Sequence, residues 1–317
     1  MVDLLIRDAT QRRSLNPLLW PLAADAAARI ASVVGRGLDG PATAAQELWL
    51  LAEAAGRIVG IAHAMILPVP PIYGDAAGPP GLILDDCFTA ADAPPGSAES
   101  LLAATEAALR SMGATRLIAS CPAAGPWHPL YERGGYEPVT LYMAKHGFGV
   151  HALPPGVRAA RPEDVPGIVA LSADHRRTLA ALNSRFWFIH RDADSRFERW
   201  MHRSLTLTDR TMLVAAAPDE VHGYIIAQPI APLLIPAAHE IETIGVIDDF
   251  YDRDFANIPA VANGGATAAS LLSAAESAFG RRAFTAALVV CPAAWSAKVS
   301  LLDRQGYRTA KLWMLKR

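Results

Sequence analysis

Apolar and polar positions along the chain change period in a fixed order, and that order occurs twice. Leu48 to Leu51 and Ile58 to Ile66 are apolar, strand-like runs separated by the turn Ala54-Ala-Gly-Arg57, which predicts antiparallel strands. Leu82-Ile-Leu84 leads into Asp85-Asp86 as a further strand. From Ala98 to Met112 the spacing becomes helical: Leu101, Leu102, Ala108, Leu109 and Met112 fall on one face, Thr105 is the one polar member of that stripe, and Gly113 stops the helix. Leu117 to Cys121 predicts a strand, about Pro129 to Arg133 a short helix, and Val139 to Lys145 a closing strand. The second pass reads Met212 to Ala216, Val221 to Ile226, Glu242 to Asp248, Thr267 to Phe279, Ala287 to Cys291 and Thr309 to Lys316. Each half is therefore helix, antiparallel strands, then strand–helix–strand–helix–strand. The expected class is α/β in the α+β sense, a mostly antiparallel mixed sheet with flanking helices.

Residue identities repeat along with the pattern. Cys121-Pro-Ala-Ala124 recurs as Cys291-Pro-Ala-Ala294, an offset of 291 − 121 = 170. Gly135-Tyr136 recurs as Gly306-Tyr307 and Tyr142-Met-Ala-Lys145 as Trp313-Met-Leu-Lys316, both at 171. Gly60 pairs with Gly223, and Leu84-Asp-Asp-Cys-Phe88 with Ile247-Asp-Asp-Phe-Tyr251, both at 163. The offset jumps once, after the Asp-Asp pair, where the second half carries the extra Ala256 to Asn263 region. All matches keep one order, so the chain reads as a duplication. The seam is the Gly/Pro-rich His146 to Gly156, after which Val157-Arg158 restarts the pattern of Ile6-Arg7. Two domains are expected, residues 1–147 and 155–317, each of ordinary domain size.

Composition narrows the function. With 29 Lys+Arg against 31 Asp+Glu the formal charge is −2, so no basic surplus points to nucleic acid. Three scattered cysteines, Cys87, Cys121 and Cys291, make no disulfide framework or structural zinc site and fit a reducing compartment. The start, Met1-Val-Asp-Leu-Leu-Ile-Arg-Asp, lacks the pattern of a secretory leader. The most apolar stretch, Tyr224 to Ala238, is broken by Gln228, Pro229, Pro232 and Pro236 and is too short to span a bilayer. A cytoplasmic protein without membrane or nucleic-acid partners is expected, its oligomeric state open between monomer and homodimer.

Taken in order, these features resemble the GNAT acetyltransferase superfamily in a tandem form, over nearly the whole chain. An Ile/Val-Arg strand opens each half, clearest in Val157-Arg-Ala-Ala-Arg-Pro-Glu-Asp-Val165. A strand ending in an acidic pair follows, then a Gly/Ala loop opening a Leu-Leu helix, then the Gly-Tyr turn and a final strand. The resemblance implies acetyl-CoA as co-substrate. Its pantetheine arm would lie along the strand after the acidic pair, at Cys87, Phe88 and Thr89, where that strand splays from the one ending at Cys121. Its pyrophosphate would sit on the amides opening the next helix, at Gly96-Ser97-Ala98 or at Asn263-Gly264-Gly265-Ala266-Thr267-Ala268. Such a helix end carries unpaired N–H groups and a positive dipole. Both loops lack the family's basic residue. Pro94 and Pro95 also remove two donors from the first, and Asp92 adds the wrong charge, so loop chemistry favours the second half.

The reacting groups favour the first half. The family's acid, a Tyr five residues before the aromatic of the closing turn, corresponds to Tyr131; the second half has Leu302 there, which cannot transfer a proton and leaves Ser300 or Tyr251 as substitutes. Asp85 and Asp86 resemble the carboxylates that take the amine proton and hold a cationic acceptor, with Asp248 and Asp249 at the same place in the second half. Adjacent strand residues face opposite ways, so only one of each pair should reach the cleft directly. His63, Glu240 and Glu242 are further base candidates. Phe186 to His190, with Trp200 and Met201, reads as helix packing that could line a substrate cleft. No nucleotide-loop, Ser-hydrolase or zinc-protease motif occurs, and no metal is expected. The expectation is acetyl transfer to a small-molecule amine in a ternary complex. Its alternative is a degenerate pair that binds CoA without chemistry.

Overall fold

Ala55 and Gly56 both take positive φ, 49° and 71°, and so close the first hairpin in the mirror-image turn that suits twisted strands. In the computed structural model, which describes residues 1–39, 47–74, 78–217, 220–256 and 262–317, this hairpin joins β1 (Glu47–Ala54) to β2 (Arg57–Ile66). Before it lie α1 (Val2–Leu15) and α2 (Ala26–Asp39). After it come β3 (Pro80–Ile83), β4 (Phe88–Thr89), α3 (Ser97–Ser111), β5 (Arg116–Pro122), α4 (Trp127–Arg133) and β6 (Tyr136–His146). The second half runs β7 (Val157–Ala159), α5 (Val165–Leu182), α6 (Ala193–Ser204), β8 (Thr211–Ala217), β9 (Glu220–Pro229) and β10 (Ile244–Asp252). It ends with α7 (Ala266–Arg281), β11 (Ala286–Pro292), α8 (Ser296–Arg304) and β12 (Arg308–Lys316). The mixed α/β class and the order of elements match the sequence reading.

The repeat has visible physical causes. Gly60 and Gly223 sit where a helix crosses its sheet. A Cβ on Gly60 would lie 3.2 Å from Leu101 of α3, and one on Gly223 would lie 2.8 Å from Leu271 of α7. Thr105, fully buried in the α3 stripe, is tolerated because its hydroxyl donates to the Leu101 carbonyl at 2.7 Å.

Several expectations change. Ile6-Arg7 is not a strand; it lies inside α1, whose buried positions Leu4, Leu5, Asp8, Ala9 and Arg12 have the helical period. Val157-Arg158 is a strand as read. Arg158 there makes a two-pronged ion pair with Asp164, at 2.6 and 2.7 Å, which also accepts the Arg161 N–H and fixes the entry to α5. Phe186 to His190 is not helical but forms the α5–α6 connection. The Asp248-Asp249 strand starts later than read and runs on to Asp252. Of the extra Ala256 to Asn263 region, residues 257–261 lie outside the described residues.

Among the described residues the strands join one twelve-stranded sheet, in the order β1-β2-β3-β5-β12-β6-β11-β10-β9-β8-β7, with β4 paired to β2. At its centre the closing strands are exchanged. β12 of the second half pairs antiparallel with β5 of the first, β6 of the first pairs antiparallel with β11 of the second, and β6 and β12 pair with each other. Side chains follow: Leu312 and Met314 complete the first-half core, and Met143 joins the second-half core. Two connections are exchanged as well. The β9–β10 connection forms a bridge between His239 and Leu22, and the β2–β3 connection forms one between Tyr73 and Ile189.

Candidate active site

Past Ile83 the strand carrying the first aspartates leaves its parallel partner. β3 runs beside β5 as far as Ile83 opposite Ala119; β4 then pairs with β2 through Phe88–Ile61 and Thr89–Gly60. β10 departs from β11 at the same place in the repeat, after Ile247 opposite Val289. Both halves thus hold the splay that the resemblance implies, and their contents differ.

In the first half the splay opens onto a cavity of about 280 Å³ between α1, β5 and α4. Tyr131 lines it, fully buried, its ring held by Trp127 and Tyr136 at centroid distances of 5.8 and 5.4 Å. Its hydroxyl has no hydrogen-bond partner among the described residues. Burial, reinforced by Cys87 and Cys121 beside it, pushes Tyr131 well above the ordinary tyrosine value, so it keeps its proton. Burial raises the Cys87 and Cys121 thiols too, and both are packed rather than reactive. Of the three residues expected along the pantetheine, Cys87 lines the cavity. Phe88 is buried against α1 with the Arg7 guanidinium 5.4 Å over its ring, and Thr89 keeps a buried, unpartnered hydroxyl.

The reading from sequence missed Asp8 and Arg12, which also line this cavity. Arg12 is 3% exposed; it donates to Asp8 at 2.6 Å and to the Asp85 carbonyl at 2.6 Å, while its Nε and Nη1 have no partner among the described residues. The signal was available: an Asp and an Arg spaced i, i+4 within the apolar stripe of a helix.

Asp85 also lines a second, larger cleft of about 670 Å³, between α2, the first hairpin and the β9–β10 connection. Both aspartates line this cleft. The expectation that only one would reach it fails because the pair lies in the break between β3 and β4, not within a regular strand. Their surroundings differ sharply. The Asp85 carboxylate is paired with Lys311 of β12 at 2.5 Å, and Lys311 also donates to the Leu234 carbonyl at 2.6 Å. Asp86 instead meets His63 Nδ1 at 3.1 Å. His63 stacks on Trp49, centroids 3.7 Å apart, and its Nε2 lies 3.6 Å from Glu47. Burial works against both charges, yet the mutual contact prevails. Asp86 is held below the usual carboxylate range, and Asp86 with Glu47 lifts His63 above the usual histidine value.

At the loop before α3, Asp92 is paired with Arg57 at 3.0 Å and Glu99 with Arg133 at 3.2 Å. The basic residue absent from the Gly96-Ser97-Ala98 loop is thus brought near by the fold. Ser97 N–H is taken by the Pro94 carbonyl at 3.1 Å.

In the second half the splay is filled from α8. Lys298, 1% exposed, donates to the Phe250 carbonyl at 2.7 Å and lies 5.2 to 5.6 Å from the ring centres of Phe250, Phe255 and Trp295. Phe250 holds the repeat position of Cys87. Burial lowers the Lys298 ammonium from its ordinary value. Asp249 is tied to Tyr224 at 2.7 Å and His175 at 3.3 Å, and Asp248 is exposed beside Gln228 at 2.8 Å; neither lines the two clefts. Asn263, Gly264 and Gly265 precede α7, whose first residues are Ala266, Thr267 and Ala268. Of the substitute donors, Ser300 is exposed and Tyr251 is buried against His175 and Trp295. Glu240 is paired with Arg29 at 3.2 Å and Glu242 is exposed. No group of three or more metal-ligating side chains is present among the described residues, and none of their helices is long and apolar enough to cross a membrane.

No protein-family model matches the chain, and no curated protein matches it by sequence. Solved structures do. A tandem GNAT protein from the clavulanic acid biosynthesis pathway is similar over 98% of this chain and 94% of its own, with a TM-score of 0.50 and 15% identity. A GCN5-related N-acetyltransferase from Sphaerobacter thermophilus is similar over 97% and 92%, with a TM-score of 0.53 and 17% identity. At these identities the likeness establishes the fold.

Proposed function

Starting from a chain with the tandem GNAT fold, we propose an acyl-CoA-dependent N-acetyltransferase that acts on a small-molecule amine, with its working site in the first half. The observation that carries this reading is the Tyr131 hydroxyl. It is fully buried and without a protein partner, on the wall of an opening that shares Asp85 with a larger cleft. An orphaned buried hydroxyl costs free energy unless something meets it, and a thiol or thiolate in the opening would do so.

Acetyl-CoA fits the opening by its chemistry. Cys87 and Ser120 line it alongside Tyr131, the Ser120 hydroxyl is also without a partner, and Arg57 and Arg133 flank the loop that opens α3. The amine enters by the larger cleft. Its nitrogen attacks the thioester carbonyl carbon, forming the C–N bond as the C–S bond breaks. His63, held by Asp86, takes the amine proton, and Tyr131 gives its own to the departing thiolate. Asp85 is not the base in this scheme; its pairing with Lys311 makes it a support. The second half, its splay filled by Lys298, supplies β12, Lys311 and a wall of the acceptor cleft.

Tyr131→Phe tests the assignment, because it deletes a hydroxyl that makes no well-formed hydrogen bond in the protein and meets the Cys87 thiol only weakly. Turnover of acetyl-CoA with an amine acceptor should fall at least about 100-fold, the usual scale for a lost general acid, while the melting temperature stays put. Unchanged turnover would remove Tyr131 from the mechanism. Acetyl-CoA binding without turnover on any amine would favour the degenerate, non-catalytic reading.

A further inference from the structure

The larger cleft carries a group that the mechanism above leaves unused. His239, from the β9–β10 connection of the second half, lines the cleft alongside Asp86 and His63 of the first. It is 1% exposed, and neither ring nitrogen has a hydrogen-bond partner among the described residues. A buried imidazole has one donor and one acceptor to satisfy, and here the protein meets neither.

The residue is held firmly in place. Its backbone bridges to Leu22, the Ala23 N–H donates to the Ala238 carbonyl at 2.9 Å, and the Glu240 N–H donates to the Pro21 carbonyl at 2.8 Å. Arg29 of α2 clamps Glu240 at 3.2 Å. The backbone of Pro21 and Trp20 lies close enough to the ring to favour its protonated form, though neither makes a well-formed hydrogen bond to it. Burial first, and then the Arg12 guanidinium, push His239 down to about 4, so the ring is neutral in neutral solution and can accept a hydrogen bond. Met65, Leu84, Ile235, Pro236 and Ile241 make the apolar part of the cleft wall, and the charged Asp25, Arg29, Arg36 and Glu47 line the cleft as well.

We infer that His239 is the acceptor-binding residue contributed by the second half, that it hydrogen-bonds the amine facing Asp86, and that the acceptor is a primary amine on an apolar body. This rests on the proposed transferase reading. The site is then composite: the first half holds the chemistry and the second half holds the substrate against it.

The test uses the full chain, acetyl-CoA, and benzylamine and phenethylamine as acceptor probes, with glycinamide as the polar control. His239→Leu removes both ring nitrogens, and His239→Asn restores one hydrogen-bonding end. In His239→Leu the KM for benzylamine and phenethylamine should rise at least tenfold, with the calorimetric affinity for acetyl-CoA within twofold of the parent. Asn should recover part of the loss, and glycinamide should be the poorest acceptor of the parent protein. If the Leu variant does not fold, the Asn variant alone decides, with a smaller expected rise of about threefold. An unchanged amine KM in a folded variant that binds acetyl-CoA overturns the role of His239 and leaves the transferase reading standing. Glycinamide as the best acceptor overturns the substrate class. A parent protein that turns over none of the amines overturns both the transferase reading and this inference.

Discussion

Asp85 and Lys311 are each 2% exposed at the side chain and come from opposite halves of the chain. Removing one partner of such a pair leaves a buried charge without compensation, whereas removing both can be close to neutral. Lys311→Met should therefore destabilise the protein by about 3–5 kcal/mol, and Lys311→Met with Asp85→Leu should recover most of that. Urea unfolding midpoints of the two variants decide it; equal losses would mean the pair adds nothing beyond packing. His63 allows a prediction about pH. As a proton acceptor it must be neutral, and Asp86 and Glu47 raise it above its ordinary 6.5. So kcat/KM should rise with pH through a midpoint above 6.5 and then level off. Asp86→Asn, which takes away the strongest raising contact, should shift that midpoint to lower pH. A parent profile with its midpoint at or below the ordinary value would exclude His63 as the base.

Elements that look alike in sequence do different work here. β3–β4 with β5, and β10 with β11, splay at the same repeat position, yet Tyr131 stands in one opening and Lys298 in the other. One acetyl-CoA per chain is therefore expected in calorimetric titration. Gly96→Asp, which sets a carboxylate at the mouth of α3, should abolish binding, and Ala266→Asp at α7 should leave it intact. Two equivalents per chain, or loss only in the α7 variant, would move the site to the second half. Loop chemistry alone pointed that way, because amide donors and charges can be read from sequence but a lysine arriving from a helix some 30 residues further on cannot. Legibility followed range. The turn at Ala55-Gly56, the α3 stripe and the pairing of Gly60 with Gly223 are local or periodic signals, whereas the helix crossings at those glycines show only in the fold. The break between β3 and β4, which lets both aspartates reach one cleft, arises from pairing partners that the local pattern does not name.

At the scale of the molecule, the exchange of β6 and β12 joins the halves through the centre of a single sheet. Residues 1–147 alone would expose the β5 edge that β12 covers and would lack Leu312 and Met314 from the core, while residues 155–317 alone would lose β6 from β11. Unpaired edges of this kind are prone to association. Expressed separately, each half should aggregate or stay unfolded, and co-expression should restore a 1:1 pair; size-exclusion chromatography with circular dichroism reads both. A folded, monomeric first half would show that the exchange is dispensable.

The sequence by itself determined the class of fold, the duplication, the order of elements and the types of residue able to move protons. These depend on hydrophobic period, turn chemistry and identities repeated at fixed offsets, all of which are properties of neighbouring residues. Only the tertiary structure decided which residues meet. It set Lys311 against Asp85, His63 against Asp86, Lys298 in the second splay and His239 in the first-half cleft. The reason is physical: the closing strands and crossover connections of each half are satisfied by hydrogen bonds and buried apolar contacts on the other half. Lys311 thus meets Asp85 from 226 residues away, and His239 shares a cleft with Asp86 from the other half. His63 and Lys298 find their partners within their own halves, 23 and 48 residues away.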